Sequence, residues 1–332
     1  MDVMIVFLCI LLSFGPALLY AWMIYWVDRY EKEPKILLGV VFLWGAVVAA
    51  GSAFVINTLL GLGVYLFTAS EALTELATGS LIAPVIEESL KGFAVLAVFL
   101  VFRREFDSIL DGIVYAAIVA LGFAATENVY YIYTYGAAED GLAGMALMFV
   151  IRVLLVGWQH PFYTAFTGIG LAVARLNRHV GIKILAPLIG FGVAMFTHSL
   201  HNTIASLLPG LEGLAATVMV DWTGWLGMGG VILWALFREK KWIVQELREE
   251  VTLGVISPAQ YRVACSAWAQ SFSRLGALFS GNYRATRRFY QLTAELSQKK
   301  HQRITLGEED DSTLIIERLR AELTRLAPLS ET

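Results

Sequence analysis

The sequence predicts an all-α protein: a polytopic bundle of about seven transmembrane helices with its N-terminus outside, followed by a cytoplasmic helical tail. Two observations predict it. Of the 332 residues, 57% are hydrophobic and only 16% charged, and the mean hydropathy is +0.64, more apolar surface than a soluble domain can bury. The charges are also unevenly placed, sparse up to residue 237 and dense from 238 to 332. This divides the chain into a membrane domain, 1–237, and a tail, 238–332, and leaves the net charge of −3 uninformative about partners.

A helix needs about 20 apolar residues to cross the hydrocarbon, and seven runs qualify: 3–26, 37–67, 80–102, 110–134, 144–174, 182–208 and 214–237. The first begins Met-Asp with no basic segment and no small-residue cleavage site after it, so it reads as a retained helix. The second and fifth are long enough to tilt or break, and Pro161 is expected to bend the fifth just past His160 by removing a backbone donor.

Lysine and arginine favour cytoplasmic loops. Arg29, Lys32 and Lys35 follow the first run, Arg103 and Arg104 the third, Arg175, Arg178 and Lys183 the fifth, and Arg238, Lys240 and Lys241 the seventh; loops 68–79, 135–143 and 209–213 hold none. Every loop agrees with the same orientation in a multi-pass cell-membrane protein.

In the tail, Ser257-Pro258-Ala259-Gln260 has the pattern of an N-cap, a first-turn proline and a capping-box partner. Gly-Glu-Glu-Asp-Asp at 307–311 marks a loop before a last amphipathic helix over 312–326. The arginines at 284, 287 and 288, interleaved with Tyr283, Phe289 and Tyr290, are expected on a solvated helical face. Contact with anionic lipid is the alternative, and no nucleic-acid partner is expected. Cys9 and Cys265 lie in different regions, so neither a disulfide nor a cysteine metal motif is expected.

Charged and strongly polar groups within a membrane helix are costly, which makes each a functional candidate. The third run carries Glu87, Glu88 and Lys91; the fourth Glu127 and Asn128; the fifth Arg152, Gln159 and His160; the sixth His198, His201 and Asn202. Counting from the cytoplasmic ends at about 1.5 Å per residue puts Glu87, Glu127, His160 and His198 roughly 21 to 25 Å deep. In a core about 30 Å thick, that is one layer in the outer third.

Within helices, Lys91 is four residues from Glu87 and three from Glu88, so it can compensate an acid. The two glutamates point about 100° apart, so at most one of them is expected to face the chemistry. His198 and Asn202, four apart, share a face. Arg152 is expected in a helix–helix ion pair or on a water cavity, and Gly168 and Gly170 at close helix contacts.

These groups suit peptide hydrolysis by water. A carboxylate can take a proton from water, a second acid or a histidine can donate to the leaving amine, and an asparagine amide or a histidine N–H can stabilise the oxyanion. The sequence has no Gly-x-Ser-x-Gly and no His-Glu-x-x-His.

Four ordered motifs carry a resemblance: Glu87-Glu88-x-x-Lys91, Phe123-x-x-x-Glu127-Asn128, His160 followed by Gly168, and His198-x-x-x-Asn202. Each lies on its own membrane helix. Together they resemble the PrsW family of intramembrane proteases, related to the CAAX prenyl endopeptidases and bacteriocin-processing membrane proteins. The resemblance spans roughly residues 20–237. It implies a membrane endopeptidase that cuts a membrane-bound protein or peptide near the outer face, in a regulatory role of the anti-sigma-factor type. It also implies a catalytic set of Glu87, Glu88, Glu127, His160, His198 and Asn202.

The cofactor is either none or zinc. His160, His198 and Glu127 could form a three-ligand site with an open position, but the histidines have no known zinc spacing and the paired acids supply a base, so water activated by glutamate is preferred. A proton-coupled transporter would also carry mid-membrane acids but usually shows an internal repeat, and none is seen. A non-catalytic scaffold would not need the four motifs.

Overall fold

The computed structural model describes residues 2–28, 30, 32–208, 210–308 and 311–330. Arg29, counted above among the loop cations, and Glu309 and Asp310 of the acidic loop lie outside them, as does the side chain of Arg104. The chain forms two compact units: residues 1–27, 33–175 and 179–231 in one, and 28–32, 176–178 and 232–332 in the other.

The fold is all-α, with no strand among the described residues. In the first unit α1 spans Asp2–Val27, α2 Lys35–Thr68 and α3 residues 71–101. They are followed by α4, Ile109–Ile132, α5, Ala138–Phe149, α6, Gln159–Arg175, and α7, Val180–Leu207. The last helix, α8, runs over Leu211–Glu246 and continues into the second unit.

Helix α4 is the centre of the bundle, with every residue from Ile109 to Ala125 buried. Its start is set by a capping box: the Ser108 hydroxyl accepts from the Asp111 amide at 3.2 Å, and an Asp111 oxygen accepts from the Ser108 amide at 2.6 Å. Helix α6 lies against it where Gly112 meets Gly168. A Cβ on Gly168 would come within 1.9 Å of the Gly112 carbonyl oxygen, so backbones touch there as they do only at small residues.

Five stretches among the described residues are long and apolar enough to cross a membrane: Val3–Val27, Lys35–Thr68, Ile109–Arg175, Val180–Leu207 and Leu211–Thr252. The multi-pass bundle holds, but the expected run at 80–102 does not qualify. Glu87, Glu88 and Lys91 fall within five residues of α3, and the fold buries all three. The fourth and fifth runs form one stretch, folded back at Asp140 and Gly141, the latter with φ of 61°.

The fifth run is also broken differently from expectation. A π-helical turn at Val150–Leu155 ends in non-helical backbone at Val156, and α6 restarts at Gln159. Pro161 sits in the first turn of α6, where a missing N–H costs nothing, so the bend precedes His160.

In the second unit α9 spans Arg248–Thr252, α10 Pro258–Ala264, α11 Ala267–Phe279, α12 Tyr283–Leu306 and α13 Ser312–Leu326. The Ser257–Gln260 capping box forms, with reciprocal bonds of 3.2 and 2.7 Å. The core gathers Ile243, Leu247, Phe289, Leu292, Leu296, Ile316 and Leu323. Beside it, buried Glu250 accepts from Lys300 at 2.6 Å and from Arg320 at 2.8 and 2.9 Å.

Candidate active site

Each of α3, α4, α6 and α7 contributes an acid or an imidazole to one buried cluster. Glu88 is fully buried and both its oxygens are engaged. Oε1 pairs with Lys91 Nζ at 2.5 Å and lies 3.0 Å from His198 Nδ1, and Oε2 accepts from the Thr164 hydroxyl at 2.8 Å. Glu87 is bound more loosely: Oε1 accepts from Asn57 at 3.4 Å, and buried Oε2 has no hydrogen-bond partner, with His198 Nε2 at 3.8 Å.

Glu127 pairs with Arg152 at 2.5 Å and with His160 Nε2 at 2.8 Å, while His160 Nδ1 lies 3.2 Å from Lys91 Nζ. A lysine ammonium only donates, so Nδ1 accepts and the Nε2–H is left to donate to Glu127. Arg152 also donates to Asn128 at 3.2 Å, forming the expected helix–helix tie. Lys91 compensates Glu88 rather than Glu87.

Glu87 and Glu127 line a cavity of 710 Å³ whose wall includes Phe54, Phe123, Tyr130, Tyr131 and Tyr135. Glu88, His160 and His198 stand behind this wall. The sequence had left the two adjacent glutamates equivalent, whereas here one faces space and the other is consumed by partners.

Asn202 stands apart from the cluster. Its amide donates to the Gly79 carbonyl at 2.8 Å, tying α7 to the start of α3. His201 turns the other way, with Nδ1 2.9 Å from Asp221 Oδ2.

Sequence reasoning missed four residues. Asn57 is the sole carboxamide in its apolar run and Asp221 the sole charge in the last one, both visible signals. Thr164 is one turn after His160. Tyr163 stacks on the His198 ring, centroids 4.9 Å apart, and donates to Asp221 at 3.1 Å, a role a lone tyrosine does not advertise.

The profile of the PrsW family intramembrane metalloproteases matches residues 33–236. The chain belongs to the PrsW family. It is 31% identical to Protease PrsW of Geobacillus kaustophilus over 174 residues, 51% of this chain and 70% of that one. Protease PrsW of Oceanobacillus iheyensis is 28% identical over 230 residues, 68% of this chain and 92% of the relative. Protease PrsW of Bacillus subtilis is 27% identical over 215 residues, 63% and 83%. No solved structure matches the chain. This PrsW-family protein is thus a peptidase of the intramembrane class.

The family's description implies a metal, and the residues present fit one. Ligating atoms of Glu87, His160 and His198 all lie within 4.8 Å of one another, and Glu87 Oε2 is buried without a partner. Two imidazoles and a carboxylate with room for a fourth ligand are a zinc donor set. The carboxylate that fits such a group is Glu87, where the sequence reading had Glu127 as the candidate; Glu127 is engaged by Arg152 and His160. The preference for a metal-free site runs against the family's description. It rested on the paired acids and on ligand spacing along the chain, and spacing carries no information when the candidate ligands stand on three helices.

Proposed function

We propose that this PrsW-family protein is an endopeptidase that hydrolyses a peptide bond of a membrane-bound protein or peptide at a site open toward the outer leaflet. The observation that carries the reading is the pair of carboxylates, Glu87 and Glu127, on one cavity wall with the two histidines behind them. The aromatic wall suits an extended apolar segment of substrate. The orientation rests on the lysines and arginines of alternate loops. A regulatory role of the anti-sigma-factor type is the biological setting proposed with it.

Glu88, by accepting from His198 Nδ1, turns the Nε2 lone pair toward Glu87, as carboxylates behind ligating histidines do. Glu87, His160 and His198 would hold the metal ion, the His160 Nδ1 lone pair becoming available once it gives up Lys91 while Nε2–H stays on Glu127. A bound metal supplies water of lowered pKa and polarises the scissile carbonyl. Glu127 takes a proton from the attacking water as its oxygen bonds to the carbonyl carbon. It then gives that proton to the amide nitrogen as the C–N bond breaks. Arg152 fixes the carboxylate throughout.

The partnerless Oε2 of Glu87 favours a second reading, in which Glu87 is the base and His160, hydrogen-bonded to Glu127, is the acid. Cleavage of a single-pass substrate by purified protein tests both, comparing wild type with Glu87→Gln, Glu88→Gln, Glu127→Gln and His198→Ala. Loss with chelator and recovery with zinc selects the first reading, and indifference to chelator selects the second. Undiminished cleavage by all four variants would sink both.

A further inference from the structure

Helix α11 is amphipathic in the wrong sense for a water-soluble unit. On a helix of 3.6 residues per turn, Trp268, Phe272, Leu275 and Phe279 fall within about 60° of one another, and this is the face turned outward. These four side chains are 66%, 67%, 52% and 88% exposed. The opposite face is buried and holds the polar group: Gln270, 2% exposed, donates to the Ala264 carbonyl at 2.9 Å and accepts from Arg274 at 2.9 Å. Water does not stabilise such an arrangement, because the apolar stripe gains only when something apolar covers it.

Charge indicates what covers it. Residues 251–294 hold five arginines, at 262, 274, 284, 287 and 288, and no aspartate or glutamate. Helix α12 starts four residues after Phe279, and there Tyr283, Arg284, Arg287, Arg288 and Gln291 line a shallow cavity of 280 Å³. Arg288 is spent on Glu295 and Glu322. Exposed Arg284 lies in the first turn of α12, five residues past the end of the stripe. Aromatic residues on one face with arginines next to them are the makeup of a helix lying in the headgroup region of an anionic bilayer. The same chain supplies the bilayer, since α8 runs unbroken from a membrane-competent stretch into this unit.

We infer that α11 is an interfacial helix, its Trp268–Phe272–Leu275–Phe279 stripe inserted among the acyl chains and Arg284 on lipid phosphates. It anchors the C-terminal unit to the membrane surface.

Spin labels on full-length protein in nanodiscs test this. In a Cys9→Ser, Cys265→Ser background, a nitroxide is attached at Phe272→Cys, Leu275→Cys or Ser271→Cys, all exposed positions where a label disturbs no packing. Discs contain phosphatidylcholine alone or with phosphatidylglycerol. With anionic lipid, labels at 272 and 275 should be reached by oxygen more than by a polar nickel complex. Arg284→Gln should weaken the inserted state by about fivefold. Preference for the nickel complex at all three positions in every lipid would overturn the inference by showing a solvated face. Labels immobilised and shielded from both reagents, whatever the lipid, would overturn it in favour of a protein partner or a second copy.

Discussion

The Glu88 carboxylate lies 3.0 Å from His198 Nδ1 and 2.5 Å from the Lys91 ammonium, and no oxygen of it is left for chemistry. Its neighbour Glu87 keeps a partnerless oxygen beside the same imidazole. Adjacent acids so divided should respond differently to the same substitution. Glu87→Gln should lower kcat by about 10² to 10⁴-fold, the range for losing a direct participant. Glu88→Gln should cost about 10 to 100-fold, as for residues that orient a ligand. Steady-state cleavage rates of the two variants check this, and equal losses would count against the division of roles.

Metal content separates the candidate ligands from their supports. Purified wild type should carry close to one zinc per chain by elemental analysis. His198→Ala, His160→Ala and Glu87→Gln should each be depleted, while Glu127→Gln should keep its metal and lose turnover. Full zinc in the His198→Ala variant would remove that residue from the ligand set.

Lys91 is buried at 0% exposure against Glu88. Removing the acid entirely, as in Glu88→Ala, leaves an uncompensated charge among α3, α6 and α7. Breaking a buried pair in this way costs about 3–5 kcal/mol. Glu88→Ala should therefore lower the thermal midpoint in detergent, and Glu88→Ala with Lys91→Met should recover much of the loss.

Gly168 marks a backbone contact, since its Cβ would reach 1.9 Å from the Gly112 carbonyl oxygen. Gly168→Val should push α6 off α4, which carries Glu127. Overpacking of this kind costs about 1–3 kcal/mol. Thermal stability and cleavage should fall together, and normal cleavage by a stable Gly168→Val protein would contradict the contact.

His301 stacks on Trp242, centroids 4.3 Å apart, and burial holds its imidazole below the usual range despite Glu246 nearby. In the unfolded chain it regains a pKa of about 6.5. Below that pH the unfolded state binds the extra proton, so the stability of the C-terminal unit should fall as pH drops through about 6.5. Hydrogen exchange of 283–306 in the full-length protein should quicken from pH 7.5 to 5.5, after correction for the intrinsic pH dependence of exchange. A His301→Gln variant should respond less.

Much of this was legible in the residue order. Apolar runs specify membrane helices because the hydrocarbon satisfies no backbone donor, and a polar group inside such a run stands out by its cost. The capping boxes at Ser257 and Ser108 are local and follow from four residues each; the first of them was legible in advance. Asn57 and Asp221 were visible as the sole carboxamide and the sole charge of their runs, but their partners come from other helices and were not.

By itself the sequence determined that the chain is a helical membrane protein, that its helices carry acids and imidazoles, and which four motifs bear them. Only the tertiary structure decided which side chains meet. Glu87 and Glu88 are equivalent along the chain and differ solely because α6 and α7 bring Thr164 and His198 to Glu88, while Asn57 and open space face Glu87. A ligand set drawn from three helices has no spacing to read, since its geometry exists only after the helices pack.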